Sequence, residues 1–393
     1  MKNIIIILLS LLSACSPSKK DSSNQIDTSL ERLSILNGKY EIEIYDTLKI
    51  NFIRRGLKLY DYSLHNRTLL FSSQNQPDTV IEVNFFGEIV NRFSFTGNTE
   101  DQIGNSQFNI AYLNDSAIFV TGTRGVFFFN RKNEPIRKII DQTAVSGYGG
   151  YQDKKIRFIN TDDKNLALFN LKATIDGNFS GFSSSFFEDY TAITVYDLQN
   201  ENFEMGFKIP ENSTFLRNQE HYGEIQTLFD TDSNHNIYVL HSPDKIVFKY
   251  DENKKPLKSL LLSHQNYKLP IKYRLGRESD FEDGYQVVNS WYRQFFVKND
   301  SLITVYRNGL PEDEFKAMKS NSQMPKLFQD YMKYYMNIIT NDSLITEDIQ
   351  LPFPSVGVAA YISANRILLY TNAAVTETQN STILFWARLK SLD

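Results

Sequence analysis

The chain has 393 residues with 42 Lys and Arg against 46 Asp and Glu, a formal net charge of −4 with no basic block, which excludes a nucleic-acid-binding face. A single cysteine excludes any disulfide within the chain. Aromatic residues are abundant (29 Phe and 22 Tyr) in a background of 41% hydrophobic and 22% charged residues, the composition of a folded, strand-rich protein.

In chain order, Lys2 precedes an apolar run over residues 4–12, too short to span a bilayer and suited to a secretory signal. The run ends in Leu12-Ser13-Ala14-Cys15, which resembles the lipobox of bacterial lipoproteins. That resemblance implies removal of residues 1–14 and acylation of Cys15, since several acyl chains give stable anchoring where one is marginal. Residues 15–29 then read as a lipidated, flexible polar tether, and 30–393 as one folded domain. Ser16 follows the cysteine instead of an aspartate, which favours an outer-membrane destination, facing the periplasm or the cell surface.

From residue 56 onward, short strands recur in groups of four: 56–95, 106–140, 155–209, 224–262 and 292–349, with three more over 356–389. Each group places a polar turn between its first two strands, at His65-Asn66, Asn114-Asp115, Asp162-Asp163, Ser233-Asn234, Asn299-Asp300 and Ala364-Asn365. Six copies at a period near 50 residues predict an all-β fold, a six-bladed β-propeller of four-stranded antiparallel blades. The last copy lacks a fourth strand, and residues 39–45, alternating polar and apolar, are expected to supply it and close the ring.

The clearest copy contains Asp232, Asn236, Tyr238, Val239, Ile246, Tyr250 and Asp251 in the pattern of an NHL-type blade, which it resembles. The exported part as a whole resembles six-bladed propeller-like bacterial lipoproteins of unknown function, which implies a fold and no activity. The alternation Asp230-x-Asp232-x-Asn234-x-Asn236 looks like a calcium loop, but His235 and His241 stand where an EF-hand needs Gly and Glu. A polar turn is the expected role, and no metal or other cofactor is predicted beyond the lipid on Cys15.

Four insertions interrupt the rhythm: 171–190, 210–223, 264–290 and 308–335. All fall in links between second and third strands or between blades, so they are expected on one face, the other keeping short turns. Residues 325–338 show helical spacing of Leu327, Tyr331, Tyr334 and Ile338 and predict a short helical insertion in the fifth blade. In or beside these links, and in the glycine-rich link 146–151, lie Tyr148, Tyr151, Arg217, His221, Tyr222, Tyr273, Arg274, Arg277, Trp291 and Arg293, the residue types that dominate recognition surfaces. His221 and His264 are the two histidines expected in these links, as exposed loop residues.

The inner strands offer few carboxylates, Asp61 being the main exception, so a catalytic centre is disfavoured. The expected function is therefore a non-enzymatic binding or scaffold role toward a protein, peptide or glycan at the cell envelope. The alternative is a metal-dependent propeller hydrolase or lyase with its site in the central channel.

Overall fold

The structure, a computed structural model, describes residues 39–52, 57–73, 76–105, 107–140, 155–173, 190–211, 213–218, 220–221, 225–262, 264–270, 273–274, 285–320, 332–340, 343–344, 348–376 and 381–392. After strand β1 (Tyr40–Ile50), blade one comprises β2 (Leu57–Ser63), β3 (Thr68–Ser73), β4 (Gln76–Asn84) and β5 (Ile89–Phe93). Blade two holds β6 (Gln107–Tyr112), β7 (Ala117–Gly122), β8 (Gly125–Asn130) and β9 (Pro135–Ile140). Blade three holds β10 (Ile156–Asn160), β11 (Asn165–Ala173), β12 (Thr191–Asp197) and β13 (Asn202–Met205).

A short helix α1 (Thr214–Asn218) and β14 (Glu220–His221) lead to blade four, β15 (Gln226–Thr231), β16 (Ile237–Ser242), β17 (Ile246–Tyr250) and β18 (Pro256–Leu261). Then β19 (Tyr273–Arg274) and α2 (Tyr285–Val288) precede blade five: β20 (Trp291–Lys298), β21 (Ser301–Arg307), helix α3 (Glu312–Ser320), β22 (Tyr334–Thr340), β23 (Ser343–Leu344) and β24 (Ile349–Gln350). Blade six is β25 (Ser355–Ser363), β26 (Arg366–Thr371), α4 (Ala373–Thr376) and β27 (Thr382–Ser391). Every blade is an antiparallel meander, and the six together form the expected propeller.

The ring closes as anticipated. Strand β1 pairs with β27 from Tyr40↔Ser391 to Ile50↔Thr382, supplying the outer strand of blade six. At the next seam Gly87, in the outer turn of blade one with φ +94°, abuts β1 so closely that a Cβ would lie 2.2 Å from the Lys49 carbonyl oxygen. Only glycine fits there.

Each seam between adjacent blades has its own apolar core. This explains the continuous apolar runs in the middle strands, which are buried on both faces. In β8, Phe127 and Phe129 face the seam with blade one while Phe128 faces blade three. Strands β3, β7, β16 and β21 are buried at every position.

A side-chain hydrogen bond also stitches every seam. Asp61 accepts the Tyr112 amide, Asn109 donates to the Asn170 carbonyl and Asn170 to that of Thr227. Asp230 accepts the Val297 amide, Gln294 that of Val358, and the Tyr370 hydroxyl that of Leu59. These side chains satisfy backbone groups that no strand partner reaches.

Two expectations for blade five are corrected. Residues 334–338 are strand, not helix: Ile338, Ile339 and Thr340 are β-branched, and β21 offers a buried partner from Ser301↔Thr340 to Arg307↔Tyr334. The expected helical insertion of this blade is present among the described residues as α3, and 321–331 lie outside them. The fourth strand is also split, with β23 and β24 each pairing two residues of β22.

Candidate functional site

Antiparallel order sends the links from second to third strands, and from blade to blade, to one face. All the helices among the described residues (α1 to α4) lie in such links. Among the described residues, the other face carries turns of two to five residues. Asn84, Asn130, Asp197 and Asp251 each accept two following backbone amides with one side-chain oxygen in the outer turns of blades one to four. The recurring [Asn/Asp]-x-x-x-[Glu/Lys] spacing that builds these turns was a readable signal beyond the inner turns. The two faces are thus built differently, as the placement of the insertions predicted.

On the loop-rich face, β14 pairs with β19, matching Glu220 with Arg274 and His221 with Tyr273. This joins the links on either side of blade four into one two-stranded sheet, and α1 packs beside β14. Four candidate residues, Arg217, His221, Tyr273 and Arg274, therefore belong to one local unit. It is pinned below by Phe215, fully buried in the seam of blades three and four, and by Asp244, which accepts the Thr214 amide at 2.9 Å and hydroxyl at 2.6 Å. Tyr148, Tyr151, Tyr222 and Arg277 lie outside the described residues, as do the segment 146–151 and Cys15. Trp291 and Arg293 lie not in a link but on the inner strand β20, Trp291 buried and Arg293 half-buried.

At the seam of blades four and five, aromatic side chains form a buried cluster. Tyr267 stacks on Tyr292 at 4.4 Å, and Tyr306 lies between His264 and Tyr335 at 5.3 and 5.4 Å. Asp348 ties the group together, accepting from the Tyr306 hydroxyl at 2.5 Å, from Asn266 through its amide and side chain, and from Asn337. Burial works to raise the Asp348 pKa, but these donors outweigh it and hold the carboxyl below its usual range. His264 is not the exposed loop residue expected. It is 6% exposed, bonded to Thr304, and burial lowers its pKa to about 4. His241 is likewise buried, beside Thr227 and Tyr190, with its pKa lowered by burial to about 3. Both rings are neutral at pH 7.

Charged groups converge in the channel. Asp230, an inner-strand carboxylate missing from the sequence inventory, is 3% exposed and accepts from Arg157, from Lys155 at 3.3 Å, and from the Val297 and Thr231 amides. Burial opposes its ionisation, yet Arg157 and Lys155 outweigh that and hold its pKa well below the carboxylate range. Arg157 also acts on Asp61 of blade one, whose pKa burial raises. Lys298 of blade five sits 5.8 Å from the ring of Tyr62 in blade one. These side chains cross the channel and bond to one another and to the inner strands, so they lock blades together.

The calcium-like alternation resolves the same way. Asp230 points into the lock just described. Asp232 accepts the amides of Asn234 and Asn236 with one oxygen, and the Asn236 side chain and Tyr238 hydroxyl with the other. Its acceptor positions are filled by its own turn. Among the described residues no group of three or more His, Cys, Asp or Glu is arranged to hold a metal ion.

Fold and site together define a six-bladed propeller with an ion-locked channel and a single elaborated face. No known family profile matches the chain, and no curated protein matches it in sequence. Among solved structures it is similar to a member of the DUF4221 family from Bacteroides vulgatus, with a TM-score of 0.62 and 11% identity over 90% of this chain and 99% of that one. It is also similar to a protein of Bacteroides fragilis provisionally described as exported, with a TM-score of 0.53 and 11% identity over 89% and 96%. At these identities the likeness establishes the propeller fold.

Proposed function

We propose that this protein is a lipid-anchored cell-envelope propeller that recognises a protein, peptide or glycan through its loop-rich face, without catalysis. The observation that carries the reading is the asymmetry of the ring. One face holds all the described helices and the β14–β19 sheet; the other, among the described residues, holds short turns. Long ordered connections on a rigid scaffold are where binding surfaces are built. The channel carboxylates are committed to structural partners, which favours recognition over chemistry. The Leu12-Ser13-Ala14-Cys15 motif and the exported character given for the Bacteroides fragilis neighbour support the envelope location, with acyl chains on Cys15 as the anchor.

The test is a panel of envelope peptides and glycans screened against the purified domain, with hits retested on Arg274→Ala, Arg277→Ala and, on the short-turn face, Glu252→Ala. Binding lost in the arginine variants and kept in Glu252→Ala is the expected result. Binding kept in both arginine variants and lost in Glu252→Ala would overturn it.

A further inference from the structure

The direction in which the chain enters the ring has a consequence for how the molecule sits on a membrane. Strand β1 begins at the short-turn face. The Lys39 carbonyl accepts the Leu392 amide, and Leu389, three residues before it, donates to Ala364 in the inner turn of blade six. Residues 16–38, 23 in number, separate this point from Cys15. A lipid on Cys15 would therefore reach the ring from its short-turn face, where Tyr40 and Ile42 pack between blades five and six.

That side bears apolar groups without cover. Phe86, in the outer turn of blade one, is 75% exposed; Leu392, beside the entry point, is 55% exposed, and Leu64 in the inner turn of blade one is 40% exposed. The Arg67 guanidinium lies 5.6 Å from the Phe86 ring. An aromatic ring paired with a cation suits the headgroup region, where the ring enters the acyl boundary and the charge stays among phosphates.

We propose that the short-turn face at blades six and one lies against the surface of the phospholipid bilayer that carries the anchor, turning the loop-rich face away from the membrane. This rests on the lipid anchor proposed above. The anchor supplies residence on the membrane, and Phe86, Leu64 and Leu392 supply orientation, because tethering makes even a weak second contact effective.

The experiment uses the full lipidated protein in phosphatidylethanolamine vesicles that carry a headgroup spin label. One fluorophore is placed through His65→Cys on the short-turn face and, in a second sample, through Val375→Cys in α4 on the loop-rich face; both sites are exposed. Quenching at position 65 is expected to exceed that at 375 about twofold or more, given that interfacial groups sit within ~10 Å of the headgroup boundary. Adding Phe86→Ser should reduce the quenching at position 65 while co-flotation with vesicles is unchanged. Co-flotation with equal quenching at both positions, or stronger quenching at 375, overturns the orientation and leaves the anchor standing. Failure to co-float, with an intact mass lacking acyl chains, overturns the anchor reading and the orientation with it.

Discussion

Replacing Asp230 tests whether the channel charges hold the ring. In Asp230→Ala, Lys155 and Arg157 lose their shared counter-ion while Lys155 stays buried against the Phe296 ring, and the Val297 amide loses its acceptor. Removing one partner of a buried ion pair costs about 3–5 kcal/mol. With an unfolding entropy of roughly 2.1 cal/mol/K per residue over the roughly 280 described residues, that loss lowers Tm by about 5–9 °C. Asp230→Asn keeps one acceptor oxygen and should lose less. In the double variant Asp230→Asn with Lys155→Met, one orphaned charge is removed and part of the loss should return. Urea titration and calorimetry of the wild type, Asp230→Asn, Lys155→Met and the double variant give the cycle. A change below about 0.5 kcal/mol in Asp230→Ala, or simple additivity in the double variant, would refute the lock.

Ile50, fully buried where β1 meets blade one, should cost about 2–5 kcal/mol as Ile50→Ala in urea titration, because the closing strand shares that core. Stability should fall as pH drops from 6.5 toward 4: His241 and His264 have folded pKa values near 3 and 4, so their contribution is complete above the unfolded value and lost as the unfolded state gains protons. His264→Gln should flatten the Tm-against-pH curve in that window, and an unchanged slope would contradict the assignment. Asp232→Ala should destabilise by about 1–2 kcal/mol through loss of its turn bonds, while millimolar calcium should leave the wild-type Tm unmoved. A calcium-dependent rise in Tm that Asp232→Ala removes would restore a metal role to that turn.

Much of the architecture was legible because it is local. Strand alternation, the Asn and Asp turns and the spacing of insertions are set by near neighbours, and they placed the blades, the closing strand and the elaborated face. What depended on distant pairing was not legible. Asp230 reads as part of a polar turn, yet its partners Lys155 and Arg157 come from another blade and Val297 from a third. His264 lies in a polar stretch, HQNYK, that gives no hint of the tyrosines of blade five closing over it. Tyr334 and Ile338 fit a helical period as well as a strand, and only the unpaired edge of β21 decides between them. Of the ten candidate recognition residues, the β14–β19 pairing and the adjoining α1 bring Arg217, His221, Tyr273 and Arg274 into one local unit, whereas Trp291 is sequestered in an inner strand.

Photo-crosslinking in intact cells compares the two faces most directly. A photoreactive residue at Phe353 or Val375 samples the loop-rich side, and one at Asn133 or Glu252 the short-turn side, all at exposed or half-buried positions. Discrete, reproducible adducts from Phe353 or Val375, weakened by Arg274→Ala and absent from Asn133 and Glu252, are the predicted result. Adducts confined to Asn133 and Glu252, or none from either face, would contradict recognition through the elaborated face.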